Sequence, residues 1–190
     1  MVGCGFGRGG RNKGIGLSTE YSNECKQRDQ WLTAAIGHLH PDVVVLAGGL
    51  WDVTDRRPEG FRRWTHIGDP AYDLYLAGEI RHLVELVQTE GAQVVWLDAP
   101  HWDPQYDPAN FMGRPPYAEA DPARADRYNV VLHQSLAGLP NVRIVSIAEW
   151  LRSQHGGEFA PDVRIDGVHL TLASSTTAAE WLVPQLIEIG

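Results

Sequence analysis

The residues best placed to do chemistry are Asp166 and His169, in the segment Arg164-Ile-Asp166-Gly-Val-His169-Leu-Thr171. An Asp three residues before a His can set its carboxylate on the imidazole Nδ1–H. That contact fixes the tautomer and leaves Nε2 free as a base. Gly167 lets the intervening backbone fold tightly enough for the two side chains to meet. The bland alternative is a surface turn whose Asp caps a helix, with the His merely nearby. A third reading makes Asp166 and His169 ligands of a metal-dependent hydrolase.

Other combinations carry weaker signals. His38 and His40 could form a metal pair, and Asp98, His101, Asp103 and Asp107 a second polar cluster, but a metal needs three or more converging ligands. Gly5-Phe-Gly7-Arg-Gly-Gly10 fits the dinucleotide pattern, which also needs a strand before it and a helix after it. Of the tryptophans, Trp31, Trp150 and Trp181 sit in helical patterns and are expected in the core. Trp51, Trp64 and Trp102 sit in or beside loops, where they could stack on a sugar, hold an acyl chain, or simply pack locally.

The elements that must position these residues follow from periodicity. Apolar residues recur at helical spacing over Asp29–His40, Asp73–Glu90 and Thr171–Ile187, and Asp121-Pro122 opens a further helix to about Leu139. Residues 42–47, apolar after Asp42 and rich in β-branched Val, predict a strand covered on both faces, as in a parallel sheet. Ala92–Leu97 and Asn141–Ile147 are expected strands and Glu149–Gln154 a short helix. Seven glycines within the first sixteen residues predict a loop. Strands alternating with helices predict an α/β fold with a parallel sheet in one domain, only three of its strands being evident. The loops after Ala47, Leu97 and Ile147 should then share one rim, where sites form in such sheets.

Composition narrows the function. The 190 residues are 43% hydrophobic and 21% charged, ordinary for a globular domain, and carry a formal net charge of −8. That balance argues against nucleic acid as a partner, since such binding rests on clustered Lys and Arg. The longest apolar run is too short for a membrane span, and the N-terminus carries no hydrophobic signal region. Cys4 and Cys25 are the only cysteines. Bridged, they would close a loop worth about 3 kcal/mol and point to an oxidising compartment; two free thiols are the equal alternative.

Asp166-Gly-Val-His169-Leu-Thr171 before a C-terminal helix resembles the last block of the SGNH hydrolases, a superfamily of esterases and acyl-transfer enzymes. Upstream, Pro41-Asp-Val-Val-Val-Leu-Ala-Gly-Gly-Leu-Trp51-Asp52-Val-Thr-Asp55-Arg56 resembles the third block of one branch, the SGNH domains fused to bacterial membrane O-acyltransferases. Gly3-Cys4-Gly5 with Cys25 and Trp31 is similar to the same branch. The resemblance covers the chain from Gly3 onward. It implies a three-layer α/β/α flavodoxin-like fold of about five parallel strands and a serine esterase or O-acyltransferase acting on an acylated carbohydrate or similar ester, without a cofactor. His169 would be the base and Asp166 its partner. Backbone N–H groups near Gly5 and Gly49 would stabilise the oxyanion, and Trp51, Asp52 and Arg56 would shape the pocket. A disulfide between Cys4 and Cys25 would fit an extracytoplasmic location.

The chain departs from the family at two points. No Gly-Asp-Ser occurs, the only Gly-Asp being Gly68-Asp69-Pro70. The family layout would put the missing strand and serine a few tens of residues before Met1. That implies a mis-assigned or truncated start, or a degenerate, non-catalytic module that binds glycan. Ser18, Ser22, Ser146, Ser174 and Ser175 read as caps or surface hydroxyls rather than substitutes. Secondly, Trp51 stands where many members carry an oxyanion-donating Asn.

Overall fold

A computed structural model describes residues 4–20, 23–110 and 112–188. The described elements run β1 (Arg11–Gly14), β2 (Leu17–Glu20), α1 (Asn23–Lys26), α2 (Arg28–Leu39), β3 (Val43–Leu46), α3 (Leu50–Val53), β4 (Asp55–Arg57), α4 (Pro70–Val87), β5 (Gln93–Leu97), α5 (Pro122–Leu136), β6 (Val142–Val145), α6 (Ile147–Arg152) and α7 (Leu172–Ile187). The fold is mixed α/β with a parallel sheet, as periodicity predicts.

That sheet has the order β3-β5-β6. β5 lies in the middle, and Val94, Val95 and Trp96 are wholly buried. Alternate residues face opposite layers. Val94 and Trp96 pack with Ile36 of α2, with Leu76 and Ile80 of α4 and with Tyr128 and Leu132 of α5. Val95 and Leu97 pack with Val145 and with Trp181, Leu182 and Leu186 of α7. Helices therefore cover both faces.

Local chemistry starts the helices where they begin. Pro70 and Pro122 occupy first-turn positions, where their missing N–H costs nothing. Asp121 accepts from Ala123 N, Ser146 from Glu149 N and Thr171 from Ser174 N, each satisfying an orphan donor. Thr171 N also bonds Val163 O, which ties the start of α7 to the loop before it. Trp181 of α7 stacks on Trp150 of α6, with ring centroids 5.5 Å apart at 27°.

Several expectations fail here. β3 is not covered on both faces: it lies at the sheet edge, and Val45 is 39% exposed. Trp31 is 63% exposed on α2 rather than in the core. The glycine-rich start is not all loop. β1 pairs antiparallel with β2 and β4 in a second, small sheet, and Phe6 packs at 4.7 Å against Trp96. A strand rather than a helix follows Gly10, so the dinucleotide pattern lacks its anion-binding helix.

The N-terminal segment is held by charge as well as by packing. A disulfide joins Cys4 to Cys25. The guanidinium of Arg8 reaches Glu79 of α4 at 2.7 Å and Asp29 of α2 at 2.8 Å. Beneath it, Asp52 and Arg56 are both completely buried and 3.3 Å apart. The Asp52 carboxylate also accepts from Phe6 N at 2.7 Å and Gly7 N at 2.9 Å.

Candidate active site

Asp166 and His169 meet as their spacing predicts. Asp166 Oδ2 lies 2.7 Å from His169 Nδ1. Its Oδ1 accepts from Val168 N at 3.0 Å and His169 N at 2.7 Å. Facing a carboxylate, Nδ1 carries the proton, and Nε2 is the nitrogen able to take another. Burial pushes the Asp166 carboxyl up, but the His169 ring and the two backbone N–H groups outweigh it and hold it below the usual Asp range. The pair is open to solvent, His169 by 76% of its side chain.

The loop has the shape to present this pair because the chain around it is fixed. Gly167 has φ +75°, and a Cβ there would collide with the carbonyl oxygen of Asp103. Only glycine fits so close an approach in the left-handed region. Asp103 N donates to Gly167 O at 3.2 Å and Gln105 N to Asp166 O at 3.0 Å. The buried Arg164 donates to the backbone oxygens of His101 and Gly167. The loop after β5 thus holds the loop before α7, and both lie on the rim where an α/β sheet places its sites.

The pair opens on a cleft of about 480 Å³. Its apolar wall is Ile15, Leu50, Trp51, Pro104, Met112 and Val168; its polar side is Gln105, Asp107, Asp166 and His169. Of the residues singled out by sequence, Trp51, Asp107, Asp166 and His169 line this space together. Gly5, Gly49, Asp52 and Arg56 are not among its lining residues. Gly49 has φ +119° and fits closely against Ala99 and Trp102 where β3 passes into α3. Asp52 and Arg56 are buried against Phe6 and Gly7 of the N-terminal segment instead. Burial pushes the Asp52 carboxyl up, against the pull of Arg56 and the two amides.

The other candidates have structural partners. Ser146 caps α6 and donates to Asp98 Oδ2 at 2.6 Å, while Asp98 Oδ1 accepts from Ala148 N. Ser174 is buried in α7, and Ser18 accepts from Arg11. Ser175 is exposed on α7, and Ser22 lies outside the described residues. No serine, threonine or cysteine lines the cleft among the described residues. His101 is divided between Glu158 at 3.0 Å and Asp126 at 2.9 Å, so its loop's acidic residues do not converge on one point. Among the described residues, no three His, Cys, Asp or Glu side chains are grouped to hold a metal. Trp102 is core, and Trp64 lies under Lys13 and Arg57 at 4.4 and 5.6 Å. Among the described residues no helix is long and apolar enough to cross a membrane.

Sequence reasoning missed Ile15, Leu50, Pro104, Gln105, Met112 and Val168 as cleft residues. Gly14-Ile15-Gly16 reads as a turn, and nothing in it shows which distant loop it faces. In comparison with known proteins, the chain matches no family model and no curated protein sequence.

Proposed function

We propose that Asp166 and His169 are the acid–base pair of an SGNH-type site that hydrolyses or transfers the acyl group of an ester, on an acylated carbohydrate or similar molecule. The carrying observation is the 2.7 Å contact of Asp166 Oδ2 with His169 Nδ1, at the edge of a cleft and held by three backbone bonds to Asp166. The parallel sheet with helices on both faces supports the same reading.

In this mechanism His169 Nε2 takes the proton of a serine hydroxyl as its oxygen attacks the ester carbonyl. Asp166 stabilises the imidazolium that forms. Backbone N–H groups take the charge on the carbonyl oxygen. The imidazolium then returns the proton to the departing alkoxide, and water or a second alcohol releases the acyl group from the serine. Among the described residues no serine lines the cleft, so in this reading the nucleophile is a serine that those residues do not bring to His169.

Fluorophosphonate labelling, with the modified residue located by mass spectrometry, tests this in the present chain and in a form extended at its N-terminus. Labelling of a serine that His169→Ala abolishes is the expected result in the extended form. Absence of His169-dependent labelling in both folded forms refutes the esterase reading. Trp51 in a cleft without a nucleophile favours a second reading, a non-catalytic module that binds glycan. Calorimetric binding of acetylated oligosaccharides without turnover would support it.

A further inference from the structure

Ile15 sits at the tip of the β1–β2 hairpin, opposite neither helix nor sheet of its own layer but on the wall of the His169 cleft. Its backbone is unusual. Gly14 pairs with Leu17, so Ile15 and Gly16 form a two-residue turn with φ of +47° and +73°. Both positions of such a turn require the left-handed region, which favours Asn, Asp or Gly. A β-branched side chain there is an outlier that persists only when its surroundings over-determine it.

The surroundings do so. The N–H of Ile15 donates to the carboxylate of Glu119, and its C=O accepts from Gly113 N at 2.9 Å. Glu119 is 2% exposed, and burial pushes its carboxyl up. Gly16 and Gly113 touch backbone to backbone: a Cβ on Gly113 would lie 2.6 Å from Gly16 O. Tyr117 in turn donates to Gly113 O at 2.7 Å. Two glycines, a buried acid and a strained turn together fix one isoleucine side chain in a cleft wall.

Trp51, Met112 and Val168 line the same cleft, with His169 at its polar side. At roughly 30 Å³ per water-sized group, a space of this volume accepts on the order of fifteen non-hydrogen atoms. An acetyl group would leave most of it empty. Among the described residues no Lys or Arg lines the cleft, and Asp107 and Asp166 do, so an anionic ligand is disfavoured.

We propose that Ile15 is the specificity residue of this cleft: it closes an apolar subsite that seats an uncharged acyl chain longer than acetyl beside His169. The proposal rests on the esterase reading for the identity of the chain as an acyl group. Its test does not need turnover.

The probes are acetone, 2-pentanone and 2-heptanone, which carry a carbonyl and an apolar chain but no scissile bond. Binding to the full chain is followed by NMR at the methyl groups of Ile15 and Met112 and at the His169 ring. Affinity is expected to rise by up to about fourfold per added methylene. Ile15→Gly and Ile15→Asn suit the turn better, so both should fold with an undiminished Tm while losing most of that dependence on chain length. An unchanged dependence in these variants, or none in the wild type, overturns the assignment of Ile15. Chain-length dependence without His169-dependent serine labelling would leave the subsite standing and remove the esterase reading. Labelling without chain-length dependence would do the reverse.

Discussion

Replacing Asp52 by Ala should markedly destabilise this protein, although Asp52 is not among the residues that line the cleft. The carboxylate is wholly buried, takes two backbone N–H groups and is the counter-charge of the equally buried Arg56. Its removal takes from the buried Arg56 the carboxylate beside it, a change that costs about 3–5 kcal/mol. The amides of Phe6 and Gly7 lose their acceptor as well; an unmade buried hydrogen bond costs about 1–3 kcal/mol each, less what the freed N-terminal segment recovers from water. We expect a net loss of about 4 kcal/mol. For a chain of this size each kcal/mol moves Tm by about 2–4 °C, so the fall should be about 8–16 °C. Calorimetry measures it, and hydrogen exchange at Phe6 and Gly7 should speed up before the rest of the chain. The double substitution Asp52→Ala, Arg56→Met removes the buried cation as well and should recover at least half of the loss. A fall in Tm under about 3 °C, or no recovery in the double variant, would refute the view that this pair anchors the N-terminal segment.

Two further outcomes concern the pair at the cleft. The Asp166 carboxyl is held below its usual range, so what it contributes to stability is complete above about pH 3.9 and is lost as pH falls through its lowered folded-state pKa. A carbon-detected NMR titration of Asp166 with a midpoint at or above the ordinary Asp value would contradict this. Gly167→Ala places a side chain against the Asp103 carbonyl at φ +75°. It should cost at least about 2 kcal/mol, from the left-handed backbone and the collision together, and should break the Asp166–His169 contact seen in the imidazole nitrogen shifts. Unaltered shifts would show that the loop has room to spare.

The parts of the fold that follow a period were legible in the sequence. Leu76, Ile80, Leu83 and Val84 mark the buried face of α4, and Ala92–Leu97 anticipates β5 within a residue. The meeting of Asp166 with His169 was legible because it is local, three residues apart. What lay hidden depends on contacts distant in sequence. β1 and β2 are short and largely polar, without an alternating apolar pattern, and they form because β1 pairs with β4, some forty residues on. Trp31 follows a helical spacing, yet among the described residues no neighbouring layer covers it on α2. Asp52 and Arg56 are near each other in sequence and look like pocket residues, but the N-terminal segment folds over them. Ile15 reaches the cleft only through Glu119 and Gly113, about a hundred residues away.

The stacked indoles of Trp150 and Trp181 carry an optical consequence. Two chromophores this close and skewed by 27° couple their transitions and give a paired band in far-ultraviolet circular dichroism, separate from the helical signal. Trp181 belongs to α7, whose first turn is tied through Thr171, just after His169, to Val163. The band therefore reports, without a label or a substrate, whether the last helix is seated and the His169 loop is drawn to its place on the rim.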